Sequence, residues 1–229
     1  MPTLKALIFD FDGVIANTEP LHFAGLHQTL KEIGITLTEA EYYADYLGYD
    51  DRGCILAALA ANRRPADAAT VGRLMTRKAQ AYLESVTQHQ VIFPGVPDFV
   101  REAARSFPLA IASGALRHEI EYILETAGLR TAFAHITSAE DVTRGKPDPQ
   151  PFLLALKALQ QGTPSLTPAA CLVIEDSLPG IRGAVAAGMK VLAVANTHTV
   201  QDLHEAHAIT HRLSETKLAD VQRRLWPPA

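Results

Sequence analysis

Five short runs, residues 4–9, 109–112, 136–137, 171–174 and 191–194, are apolar at nearly every position instead of at every second one. A strand that is apolar on both faces has to be covered on both faces, and the usual solution is a parallel sheet between two layers of helices. The stretches between the later runs are long enough to hold one crossover helix each, which a parallel connection requires. The expected class is α/β, with a doubly wound parallel sheet.

The spacing of the runs is uneven once. Between residues 9 and 109 lies far more chain than one crossover needs. From about Asn17 to Gln90 the sequence is alanine-rich and helical in period, with Leu26, Leu30, Ile33, Ile55, Leu56, Leu59, Leu74, Ala81 and Leu83 at helix-like spacings. A small all-helical cap domain, residues 17–91, is therefore expected as an insert after the first strand. The core is expected to comprise residues 1–16 and 92–229. Pro94-Gly95-Val96-Pro97 marks the return to the core, and Gly162-Thr163-Pro164-Ser165 is a later break. Thr167-Pro168 reads as a cap and proline opening the next element.

Composition narrows the partners. Of 229 residues, 48% are hydrophobic and 20% charged, which is ordinary globular usage. The formal charge of -4, without any Lys/Arg run, lacks the electrostatic footprint of a nucleic-acid binder. An anionic substrate would have to be held by local charges and metal. No apolar stretch is long enough to span a bilayer and no basic, apolar leader opens the chain, so a cytoplasmic protein without a membrane partner is expected. Cys54 and Cys171 lie far apart without ligand spacing and are expected to be buried hydrophobes. His198, His204, His207 and His211 cluster near the C-terminus, but their irregular spacing fits a solvated surface better than a metal site.

Three strand ends carry groups that can do chemistry. Asp10-Phe11-Asp12-Gly13 follows the first run and puts two carboxylates where open α/β sheets bind ligands. Acids this close repel, and a site that keeps them usually neutralises them with a cation such as Mg2+. Glu175-Asp176-Ser177 repeats the arrangement after the fourth run. Ser113-Gly114, after the second run, and Lys146 offer a hydroxyl, backbone N–H groups and an ammonium, the donors that phosphate oxygens need. Taken singly, each has a plainer reading: an Asp-Gly turn, an acidic helix cap, a Ser-Gly turn and an exposed loop lysine.

Taken together, Asp10-x-Asp12, Ser113, Lys146 and Glu175-Asp176 resemble, in order and placement, the four motifs of the haloacid dehalogenase superfamily over nearly the whole chain. Asn17-Thr18-Glu19-Pro20-Leu21-His22, the helical insert before Ser113 and Gly145-Lys146-Pro147-Asp148-Pro149 are similar to its β-phosphoglucomutase-like branch. The resemblance implies a Rossmann-like core and phosphoryl transfer with Mg2+ as cofactor. It casts Asp10 as nucleophile, Asp12 as general acid and base, and Ser113, Gly114 and Lys146 as phosphate ligands. Asp10, Asp12, Glu175 and Asp176 form the metal set, with the Asp12 backbone carbonyl as its ligand atom. Asp12 argues against dehalogenase chemistry, which in this superfamily resembles a metal-free site lacking that residue.

The resemblance also implies substrate-binding roles for His22, Arg52 and Lys78 in the insert. Arg52 could as well begin a helix and Lys78 lie on a solvated helical face. The segment Leu47-Gly48-Tyr49-Asp50-Asp51-Arg52 is one residue longer than the mutase pattern and carries two extra acids. The expectation is a monomeric phosphatase acting on a small phosphorylated metabolite, with a sugar phosphate first in mind. A phosphomutase of the β-phosphoglucomutase type and a non-catalytic metal- and phosphate-binding module are the alternatives.

Overall fold

A computed structural model describes residues 3–46, 49, 51–88 and 91–227. The chain divides into two compact units: residues 1–17 with 92–229, and residues 18–91.

The larger unit is built on six parallel strands: β1 (Ala6–Phe9), β2 (Leu109–Ala112), β3 (Phe133–Thr137), β4 (Cys171–Glu175), β5 (Lys190–Val194) and β6 (Ala208–Thr210), in the order β3-β2-β1-β4-β5-β6. The strand ends differ from the apolar runs by a few residues. β3 starts three residues before its run, because Phe133 is buried although His135 interrupts the apolar pattern. The short edge strand β6 had no apolar run to announce it.

β1 is central and buried on both faces, and Leu7 aligns with Leu109 on one side and Leu172 on the other. One face of the sheet presents Ala6, Ile8, Ala110, Ala112, Val173 and Val191 to Phe152, Leu156 and Ile181 of two helices, Gln150–Leu159 and Leu178–Ala186. Small side chains in the central strands let those helices sit close, and burying a ring such as Phe152 contributes about 1.5–3 kcal/mol. On the other face the Phe9 ring meets Phe99, of the helix Val96–Ala104, and Phe133 edge-on at 6.2 and 5.6 Å. Such pairs add about 0.5–1.5 kcal/mol beyond area burial.

The chain winds outward from β1 through β2 to β3, then returns to the far side of β1 and winds outward again through β4, β5 and β6. The reversal leaves a crevice at the carboxyl ends of β1 and β4, the place where doubly wound sheets bind ligands. The two chain crossings of this unit are tied by an antiparallel bridge between Ala16 and Ile92 and by the Phe93 N–H donating to the Ile15 carbonyl at 3.1 Å.

The smaller unit is helical: α1 (Glu19–Glu32), α2 (Glu39–Glu41) running into a π-helical turn (Tyr42–Tyr46), α3 (Asp51–Ala61) and α4 (Ala68–Gln88). The Thr38 hydroxyl caps α2 while Glu41 reaches back to the Thr38 N–H. Leu26, Leu30, Ile35, Leu37, Tyr42, Ile55, Leu59, Val71 and Leu74 form the core of this unit, with Ile33 and Leu56 packed at its edge. The described α-helices of the larger unit are α5 (Val96–Ala104), α6 (Arg117–Thr126), α7 (Gln150–Leu159), α8 (Leu178–Ala186) and α9 (Leu218–Leu225). No described helix is long and apolar enough to cross a membrane. Both cysteines are buried.

Candidate active site

β1 ends in a backbone N–H, that of Asp10, donating to the Ile174 carbonyl at 2.9 Å, so the ladder to β4 continues one step past Phe9 and delivers the Asp10 side chain to the crevice. Asp10 is buried, and so are Glu175 and Asp176 at the end of β4. Carboxylate oxygens of these three lie within 4.8 Å of one another. Lys146 comes from the loop between β3 and α7. Its Nζ donates to Asp10 Oδ1 at 2.6 Å and to Glu175 Oε1 at 2.6 Å, and it stands 5.1 Å from the centre of the Phe152 ring. Gln150 steadies that loop, since its Oε1 accepts from the Arg144 N–H at 2.8 Å and the Thr143 N–H at 3.1 Å.

Glu175 is fully engaged. Its Oε2 accepts from the Asp176 N–H at 2.8 Å, the Ser177 N–H at 2.9 Å and the Ser177 hydroxyl at 2.9 Å, while Oε1 takes Lys146. The fold-back is possible because residue 180, in the first turn of α8, is glycine. A Cβ there would stand 1.7 Å from Glu175 Oε1. Gly13 does the same service at the other strand end. Its φ is +76°, in the left-handed region, and a Cβ would lie 1.9 Å from Asp176 Oδ2.

Burial and the neighbouring Glu175, Asp176 and Asp12 charges push Asp10 well above the ordinary carboxylate range, and Lys146 only partly offsets them. Burial, with Glu175 and Asp12 adding to it, pushes Asp176 up to about 7, opposed by the Thr197 hydroxyl and Lys146. Burial would lower Lys146, but Asp10 and Glu175 outweigh it and hold the ammonium above the ordinary lysine value. One ammonium thus faces more acid than it can neutralise. A cluster of hard oxygen donors short of positive charge is what a divalent cation such as Mg2+ fits.

Asp12 lies beside this cluster, and Ser113 and Gly114 follow β2, the strand paired with β1. Asp12 is half-buried, bridges to Ala16 through its backbone, and lies near enough to raise both Asp10 and Asp176. Ser113 follows β2, whose Ile111 aligns with Phe9. Its N–H donates to the Thr137 carbonyl at 2.9 Å, and its buried hydroxyl accepts from the Ala115 N–H at 3.0 Å. Gly114 is exposed.

His22, Lys78 and Arg52 lie in the helical unit. Lys78 is not on a solvated face: it is 1% exposed, with its Nζ 2.6 Å from Asp51 Oδ1 and 2.7 Å from His22 Nδ1. α1 and α4 pack together and enclose it, and period alone does not distinguish the buried from the open side of a long polar helix. His22 stacks on Tyr82 at 4.5 Å, and burial together with the Lys78 charge pushes its imidazole down to about 3. Arg52 lies exposed in the first turn of α3. Leu47, Gly48 and Asp50 lie outside the described residues.

Three contributors carried no sequence signal of their own: Phe152, Asn196 and Thr197. The last two stand just past the end of β5, after Ala195, so the rule that strand ends carry the site would have reached them, but Asn and Thr after a strand read as an ordinary turn. Of the C-terminal histidines, His198, His204 and His211 are exposed, and His207 Nδ1 accepts from the Val191 N–H at 3.2 Å.

Residues 7–194 match the family described as haloacid dehalogenase-like hydrolase. The chain is 31% identical over 215 residues to Protein CbbY of Rhodobacter capsulatus, spanning 87% of this chain and 88% of that protein. It is 28% identical over 218 residues to the chloroplastic 5-amino-6-(5-phospho-D-ribitylamino)uracil phosphatase of Arabidopsis thaliana, spanning 94% of this chain and 56% of that protein. The fold superimposes on β-phosphoglucomutase from Clostridium difficile with a TM-score of 0.80 over 97% of each chain, at 21% identity.

Proposed function

The chain belongs to the haloacid dehalogenase-like hydrolases, and from that premise we propose that it is a Mg2+-dependent phosphatase for a small phosphorylated metabolite, a sugar phosphate being the preferred class. The observation that carries this reading is the Lys146 ammonium standing 2.6 Å from both Asp10 and Glu175 beside Asp176, a cation among buried acids at a sheet's switch point. The resemblance to a phosphatase whose named substrate carries a phosphorylated ribityl chain supports the substrate class.

Asp10 attacks phosphorus and forms an aspartyl phosphate, which divides one hard displacement into two. Asp12 donates a proton to the departing oxygen, then removes one from the attacking water. Lys146 exchanges its contact with Asp10 for a phosphoryl oxygen, which frees the nucleophile at the moment substrate arrives. The Ser113 hydroxyl and the backbone N–H groups at Ser113-Gly114 receive the other oxygens. Mg2+, held by the Asp10 carboxylate, the Asp12 carbonyl and Asp176, would supply the charge that lets a phosphate approach a carboxylate. Glu175 closes the acidic cluster and holds Lys146 in place. Substrate choice is assigned to the helical unit through His22, Arg52 and Lys78. A monomer suffices for all of these steps.

The test is release of inorganic phosphate from a panel of phosphorylated sugars and small metabolites, with and without Mg2+, by the wild type and Asp10→Asn. Metal-dependent release lost in the variant is expected. If no compound releases phosphate but β-glucose 1-phosphate is isomerised with a bisphosphate primer, the protein is a phosphomutase using the same core residues.

A further inference from the structure

β5 lies on the far side of β4 from β1, yet Asn196 and Thr197, the second and third residues after it, reach back to both strand ends of the site. Asn196 Nδ2 donates to the Gly13 carbonyl at 2.8 Å, and the Thr197 hydroxyl donates to Asp176 Oδ2 in a short hydrogen bond. The Thr197 hydroxyl is also 3.0 Å from His198 Nδ1, and its methyl lies 3.1 Å from where a Cβ on Gly13 would stand. The Gly13 N–H closes the turn after Asp12 by donating to the Ala16 carbonyl at 2.8 Å.

The pair is itself anchored. The Ala195 N–H donates to the Thr210 carbonyl at 2.9 Å, and just beyond, the Thr199 hydroxyl and Asp202 carboxylate meet at 2.6 Å ahead of the fully buried Leu203. The loop after β5 is thereby pinned to β6 and to the core.

We propose that Asn196 and Thr197 are positioning residues for the cation: they clamp the turn that carries the Asp12 carbonyl against the Asp176 carboxylate, so that donors from two different strands converge. With Oδ2 committed to Thr197 and close against Gly13, the Asp176 carboxylate is fixed in one orientation, and its other oxygen would be the one left for a cation. A carboxylate without that bond rotates, and the ordering then has to come out of the binding free energy. The proposal rests on the metal-dependent reading above but concerns metal binding itself, so it is measurable without turnover.

The experiment is calorimetric titration of the intact protein with Mg2+, repeated with Mn2+ by paramagnetic resonance, for the wild type, Thr197→Val, Thr197→Ser and Asn196→Ala. Thr197 is exposed, so Thr197→Val removes a hydroxyl without opening the core. Loss of an outer-shell partner is expected to weaken metal binding roughly 10–100-fold in Thr197→Val and Asn196→Ala. Thr197→Ser is expected to return it to within about threefold of wild type, since only the hydroxyl acts on the metal's ligand. The apparent Mg2+ constant of turnover is expected to rise in the same variants, with kcat recovered at saturating metal.

Unchanged affinity in folded Thr197→Val and Asn196→Ala, or no recovery in Thr197→Ser, overturns the proposal while leaving the phosphatase reading intact. A wild type that binds neither metal overturns both. Should Thr197→Val fail to fold, Asn196→Ala and Thr197→Ser decide the matter by the same titration.

Discussion

The Lys146 ammonium and the Asp10 carboxylate meet at 2.6 Å across 136 positions of sequence, with Asp10 buried and Lys146 largely shielded from water. A charge taken out of water is tolerated only while its partner is present. Breaking such a pair from one side costs about 3–5 kcal/mol, because the remaining charge is left uncompensated. Lys146→Met is expected to lose stability of that order in chelator, measured by urea unfolding. In the double variant Asp10→Asn/Lys146→Met part of that loss is expected to return, with a coupling of about 0.5–3 kcal/mol. Additive single effects would mean that the two groups do not sense each other.

Asp176 sets a pH window. Burial and the neighbouring acids push its carboxyl up to about 7 from an ordinary 3.8, so between those values the folded protein holds a proton that the unfolded chain has lost. In chelator, this group's contribution makes stability fall as pH rises from about 4 to about 7. A metal must displace that proton. Mg2+ binding is therefore expected to be about tenfold weaker at pH 6 than at pH 8 and to level off above the pKa, by titration calorimetry at each pH. A flat affinity across this range would contradict the crowding of acids described above.

His22 is expected to stay neutral at every pH used for assay, because burial and the Lys78 charge push it down to about 3. Lys78 Nζ has only protons to offer, so His22 Nδ1, 2.7 Å away, accepts and the ring proton resides on Nε2. Nitrogen-15 chemical shifts of the ring should report the Nε2–H tautomer without titration between pH 5 and 8. A midpoint near 6.5 would show that the pair is open in solution.

Gly180→Ala separates helix propensity from packing. Within a helix, alanine is favoured over glycine by about 1 kcal/mol. Here the added Cβ would stand 1.7 Å from Glu175 Oε1, and overpacking of that kind costs typically about 1–3 kcal/mol. The substitution is expected to destabilise, and to reduce phosphate release by displacing the carboxylate that holds Lys146. A stabilised, fully active Gly180→Ala would mean that Glu175 can turn elsewhere at no cost.

Continuous apolar runs such as residues 171–174 and 191–194 were legible because a strand buried on both faces leaves no room for polar residues. β6 was not, since three residues at a sheet edge, two of them only half-buried, need no such run. The acids after β1 and β4 stood out as a pattern because charged residues seldom end a buried strand without a purpose. Asn196 and Thr197 stood out in no way, being ordinary turn residues whose partners, Gly13 and Asp176, belong to other strand ends. Lys78 was ambiguous for a related reason: a lysine on a helix is usually solvated, and only the packing of α1 against α4 buries it beside Asp51 and His22.

The sequence by itself determined the α/β class, the helical insert after β1 and the residue types available at each strand end, because hydrophobic period and chemical type are local properties. Only the tertiary structure decided which of those groups meet. The order β3-β2-β1-β4-β5-β6 sets β1 beside β4 and brings Lys146 over both. Distance, burial and the resulting shifts in proton affinity are properties of that arrangement, since an electrostatic interaction depends on separation in space and on the water excluded around it, not on separation along the chain.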